Sequence, residues 1–153
     1  VLLMAAVHPV AAQECRGRSA PDIRALFPDS VNGLGRQFYN RLGDCYTNLY
    51  KPSEGSGSTP WAVVSIEPNS DKFLGDTADG LAQHYTRAGT DFIRVDGWPV
   101  AFSVVEDLGD EFVTLKGPVR ITVLIKEGDA GERSRTLATA FLRAILPSVP
   151  CEG

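Results

Sequence analysis

Asp91-Phe92-Ile93-Arg94-Val95-Asp96-Gly97-Trp98-Pro99-Val100-Ala101-Phe102-Ser103-Val104-Val105 and, further on, Val119-Arg120-Ile121-Thr122-Val123-Leu124-Ile125-Lys126 decide the fold class of this chain. Asp96-Gly97 lies between two runs rich in β-branched and aromatic residues, the strongest short-range signal for a two-residue hairpin. Leu108-Gly109-Asp110 turns the chain into a third run, 112–116, and Gly117-Pro118 turns or bulges it into a fourth, 119–125. In the fourth run Val119, Ile121, Val123 and Ile125 alternate with Arg120, Thr122, Leu124 and Lys126, the two-residue period of a strand with one buried face. Residues 91–126 therefore read as a β-meander.

The same signals extend upstream. Residues 35–40 and 44–51 have strand character, and Cys45, Thr47 and Leu49 alternate with Tyr46, Asn48 and Tyr50. Trp61-Ala62-Val63-Val64-Ser65-Ile66 is the most apolar run and reads as a central strand. The Gly/Ser-rich stretch 53–60 is a loop by composition; no Gly-Lys-Ser/Thr follows its glycines, so it does not read as a phosphate cradle.

Helical periods flank these runs. Ser19-Ala20-Pro21-Asp22 resembles a capped helix start that Pro28 ends, predicting a short N-terminal helix. Phe73, Leu74, Ala78, Leu81, Tyr85 and Ala88 recur on one stripe and predict a second helix closing at Gly89. Asp129 and Glu132 have capping-box spacing ahead of a third stripe, Leu137, Ala138, Phe141, Leu142 and Ile145. The fold expected is α+β: a single-domain antiparallel sheet of about six to seven strands, including the C-terminal β-meander, packed with two main amphipathic helices plus the short N-terminal one. In element order alone this outline is similar to the extrinsic photosystem subunits of PsbP type and to several families of small exported bacterial proteins. That likeness implies an architecture and no activity.

Length and composition agree with a single core. The chain has 153 residues, 43% hydrophobic and 22% charged, which is globular rather than disordered. Its net charge of -4 argues against a protein built to coat nucleic acid. The uncharged stretch Val1-Leu2-Leu3-Met4-Ala5-Ala6-Val7, with Val10-Ala11-Ala12 behind it, has the pattern of a secretory signal peptide. It predicts a signal remnant over 1–12, a domain over 13–153, and a periplasmic or secreted location. The apolar run is too short for a membrane span, so no transmembrane segment is expected in the mature chain. Of the three cysteines, Cys15 and Cys151 lie outside the predicted core elements and are the expected disulfide, leaving Cys45 as a small buried hydrophobe.

Chemistry-bearing residues are sparse. His84, with Tyr85 beside it, is a weak catalytic candidate because no orienting partner is evident. In the expected mature chain one His and widely spaced Cys give no metal-ligand spacing, so neither a metal nor a cofactor is expected. Glu106, Asp107, Asp110 and Glu111 surround a turn and read as a solvated acidic tip. With Ile93, Val95, Trp98, Val100, Phe102, Val104, Val113 and Leu115 inward, the opposite face carries Phe92, Arg94, Ser103, Phe112, Thr114, Lys116, Arg120, Thr122 and Lys126. This mixture of cations, hydroxyls and aromatics is the expected binding surface. The function expected is a non-catalytic exported binding or accessory domain that recognises a protein, or an anionic small molecule or glycan, and no nucleic acid. The alternatives are a small hydrolase or isomerase using His84, and a structural subunit of an envelope assembly.

Overall fold

The computed structural model describes residues 22–52, 61–68, 81, 90–117, 119–126 and 132–149, the side chains of Phe38 and Tyr39 excepted. Its strands are β1 (Ser30–Val31), β2 (Leu34–Leu42), β3 (Cys45–Pro52), β4 (Trp61–Pro68), β5 (Thr90–Val95), β6 (Trp98–Val105), β7 (Gly109–Lys116) and β8 (Val119–Lys126). They form one sheet of order β1-β2-β3-β4-β8-β7-β6-β5, antiparallel throughout. Two meanders, β1 to β4 and β5 to β8, thus join along β4 and β8, the last strand of each.

Local chemistry sets the turns. Asn32-Gly33 and Asp96-Gly97 both have positive φ at their two central residues, the type I′ geometry that matches the strand twist. Gly109 opens β7 at φ +128, and a Cβ there would run into the carbonyl oxygen of Ile125 on β8, so only glycine fits between these strands. Pro99 has no N–H to give β7, and the pairing of β6 with β7 begins only at Ala101. Side chains bridge the gap: the Thr114 hydroxyl donates to the Pro99 carbonyl at 2.7 Å, and the Trp98 indole N–H donates to the Leu115 carbonyl at 2.9 Å.

The helix α1 (Glu132–Ile145) buries Ser134, Leu137, Ala138, Phe141, Leu142 and Ile145, the apolar stripe read from sequence with Ser134 added. It packs on β8 and also touches β1 and β5, at opposite edges of the sheet. A flat sheet of this many strands would be roughly 34 Å wide, about three helix diameters. Both edges reach α1 because the sheet curls around it, and the core lies on the concave side. Tyr50, Ala62, Val64, Ile66, Val100, Phe112, Val119, Ile121 and Val123 on the strands meet Ala138, Phe141, Leu142 and Ile145 of the helix there. Tyr50 and Phe141 meet edge to face with centroids 4.8 Å apart.

The expectation of two main amphipathic helices plus an N-terminal helix is corrected. Among the described residues the fold is an eight-stranded antiparallel sheet with α1 as its α-helix. On the concave side of the curled sheet the core is filled by α1 together with the 3-10 turns that flank the described strands and helix. Near the N-terminus the chain makes a single 3-10 turn, Ile23–Leu26, whose start Asp22 caps by accepting from the Arg24 N–H at 3.2 Å. Only about one turn fits before Pro28, and Ile23, Leu26 and Phe27 enter the core from it. The residues expected to start this helix at Ser19, and the second helix with the exception of Leu81, lie outside the described residues. Leu81 is helical and 1% exposed, and it packs on the convex side against Ala101, Val113 and Leu115. Among the described residues no helix is long and apolar enough to cross a membrane.

Candidate binding face

The convex side of the sheet is built by alternation. Wherever Tyr50, Val64 or Val123 turns toward α1, its neighbours Lys51, Val63 and Leu124 turn away. Antiparallel register then arranges these residues in rows running across the strands. Trp61 stands opposite Lys126, and the pairing of Tyr50 with Ala62 sets Lys51 on the other flank of Trp61. Both ammonium groups lie 5.5 Å from the indole centroid, within cation–π range. Among the described residues no carboxylate forms an ion pair with either lysine.

The next row is apolar, Leu49 opposite Val63 and Val63 opposite Leu124, with Glu111 and Ser103 continuing it across β7 and β6. The third row carries hydroxyls: Thr47, Ser65 and Thr122 face one another, with Thr47 Oγ1 and Ser65 Oγ 3.1 Å apart. In the fourth, Arg120 meets Glu67 at 2.6 Å through Nη2 and donates from Nε to the same carboxylate oxygen at 2.8 Å. Lys51 is exposed, and the other side chains of these rows on β4 and β8 are half-buried. Over β6 and β7 the convex side is closed by the cluster of Leu81, Ala101, Val113 and Leu115.

Of the residues expected to bind, Phe92, Arg94, Ser103, Arg120, Thr122 and Lys126 share the convex face. Phe92 is 46% exposed, and Arg94 is exposed with Nη1 donating to the Gly97 carbonyl at 2.9 Å. Phe112, Thr114 and Lys116 belong to the concave side and are corrected accordingly. Phe112 is fully buried against Phe102, with ring centroids 4.9 Å apart. Thr114 is held by Pro99, and Lys116 donates from Nζ to the Leu146 carbonyl at 2.5 Å while lying 5.5 Å from the Trp98 ring. Burial pushes the Lys116 ammonium below its ordinary pKa. Alternation in sequence points to the wrong phase of β7, because Val113 and Leu115 are more apolar than Thr114 and Lys116 between and beside them. They are apolar because Leu81 covers them from the convex side.

The acidic turn divides in the same way. Glu106 and Asp107 are exposed as expected, whereas Asp110 turns inward and is buried, with its Oδ2 unbonded. Cys45 carries a free thiol and is half-buried. Cys15, Cys151, His84 and Tyr85 lie outside the described residues. Among the described residues no group of three His, Cys, Asp or Glu side chains is placed to hold a metal ion. Lys51 and Trp61 were missed by sequence reading. Their signal, an aromatic opening the most apolar strand opposite two lysines, needs the pairing of β4 with both β3 and β8 to be seen. Comparison with protein-family models, curated proteins and solved structures gives no match.

Proposed function

We propose that the chain is an exported, non-catalytic binding domain whose convex sheet face takes an anionic group of a protein or glycan partner beside Trp61. The observation that carries this reading is the row Lys51, Trp61 and Lys126. Two ammonium groups that pair with no carboxylate among the described residues flank a half-buried indole, an arrangement with cationic and aromatic surface to offer. The hydroxyl row of Thr47, Ser65 and Thr122 supplies neutral donors and acceptors two rows away, and Arg120 adds a cation whose carboxylate partner Glu67 lies on the same face. Export rests on the apolar stretch ahead of Gln13.

The test uses Trp61 as its own reporter. Oligogalacturonate and an acidic peptide are titrated separately against the full chain, following indole fluorescence at low and high salt. Saturable quenching by either probe, weakened by salt and abolished in Lys51→Glu/Lys126→Glu with the fold retained by circular dichroism, is the expected result. Quenching that is equal in the double variant overturns the assignment of this face. Fractionation of producing cells, with N-terminal sequencing of the product, tests export.

A further inference from the structure

The two edges of the sheet are built differently. At one, β1 is only two residues long and β2 behind it carries a register shift between Arg36 and Phe38, two devices that blunt an edge against pairing. At the other, β5 runs for six residues with neither proline nor register shift, and among the described residues no strand pairs with its outer side. Its main-chain pattern follows from its hairpin. In the type I′ turn at Asp96-Gly97 the Val95 carbonyl accepts from the Trp98 N–H. Bonding alternates along an antiparallel ladder, so Asp91, Ile93 and Val95 bond to β6. The N–H and C=O groups of Thr90, Phe92 and Arg94 therefore point out of the edge. The side chains of the same three residues stand on the convex face, with Phe92 at their centre and 46% exposed.

This set is self-complementary. We propose that β5 pairs antiparallel with β5 of a second copy of this chain, about a two-fold axis at Phe92. Phe92 then stands opposite Phe92 of the second copy, and Thr90 opposite Arg94 of the second copy, in both directions. Each of these pairs exchanges two main-chain hydrogen bonds, because the outward-facing residues of one strand meet the outward-facing residues of the other. The two phenyl rings cover one another across the axis, which accounts for a large apolar side chain in the middle of an open edge. Residues directly opposite in an antiparallel pair share a face, so the convex sides of both copies continue into one surface. The two rows of Lys51, Trp61 and Lys126 then lie on the same side of the dimer.

Sedimentation equilibrium on the full chain tests the pairing. The expected mass in the micromolar range is twice 16.5 kDa. Phe92→Lys sets two ammonium groups opposite each other at the axis, and Thr90→Pro deletes an outward N–H without touching the bonds to β6. Both are expected to give monomers with unchanged circular dichroism, whereas Leu42→Lys at the opposite edge leaves the dimer intact. A wild-type chain that stays monomeric, whether because another segment or a foreign peptide fills the edge, overturns the proposal. So does a dimer that survives both β5 variants. Anion binding beside Trp61 is read by fluorescence in the same monomeric variants, so the two readings fail separately.

Discussion

The two faces of the sheet are made from the same strands by the same alternation, and they differ in what their polar groups meet. On the concave side nearly every polar atom is spoken for: the Tyr50 hydroxyl donates to the Pro28 carbonyl at 2.7 Å, Thr114 to Pro99, and Lys116 to Leu146. The exceptions are the amide of Asn48, whose Oδ1 and Nδ2 meet no hydrogen-bonding group, and Asp110 Oδ2. On the convex side beyond Leu81, charge and hydroxyl are left half-open, and the row at Trp61 holds two ammonium groups that pair with no carboxylate among the described residues. Polar groups on the first face serve closure of the fold, whereas on the second the ammonium groups of Lys51 and Lys126 meet an aromatic ring rather than a carboxylate of the described residues.

The sharpest way to break this contrast is to empty the concave side. Phe141→Ala removes a ring packed against Tyr50 under the curl of the sheet and is expected to lower stability by about 3–5 kcal/mol in urea denaturation, because a cavity remains. A loss as small as that of a surface substitution would mean that the helix is not what the sheet closes on.

Tyr50→Phe comes next. It strands the Pro28 carbonyl and is expected to cost about 1–2 kcal/mol at neutral pH. Burial raises the Tyr50 hydroxyl above its ordinary pKa of 10.0, with Asp29 adding to the rise and Arg36 opposing it. Above about pH 10 the unfolded chain gives up this proton and the folded chain keeps it, so the stability from this group is complete below that pH and falls as pH rises. Lys116, lowered by burial, acts in the opposite sense: in alkali the folded chain releases its proton before the unfolded chain does, and stability rises with pH. Comparing wild type with Tyr50→Phe cancels the lysine, and the variant's disadvantage should shrink as pH rises past 10. A constant gap would show that Tyr50 is not shielded.

Asn48→Leu is expected to go the other way, raising stability by about 1 kcal/mol by replacing a fully buried, unbonded amide with an apolar group of similar size. A loss instead would mark Asn48 as a group that needs its polarity. The smallest change is expected on the convex face. Lys51→Glu/Lys126→Glu should shift stability by under about 1 kcal/mol while removing anion binding, the separation of fold from function that the two faces imply.

Local chemistry made part of this molecule readable. The Asp96-Gly97 hairpin, the alternation of β8 and the stripe of α1 are each contained within a few residues of chain, and each has the form its sequence predicts. What escaped was set by distant partners. In β7 alternation alone picks Val113 and Leu115 as the core-facing set, and only Leu81 lying over them explains why they face the convex side instead. Lys51 and Trp61 become a pair only because β3 and β4 are neighbours, and Lys126 joins them only because β8 closes on β4. The curl of the sheet is a property of all the strands together.

The position of α1 in the chain has a consequence for how the molecule is made. It follows every strand in sequence, yet it is what the concave side is packed against, and the sheet is sealed at its middle by β8, the last strand to be synthesised. Until both have emerged, β1 to β4 have no neighbour beyond β4 and nothing to bury their apolar residues upon. The join of β4 to β8 and the packing of α1 over both meanders are contacts between residues far apart in sequence, the kind that slows folding.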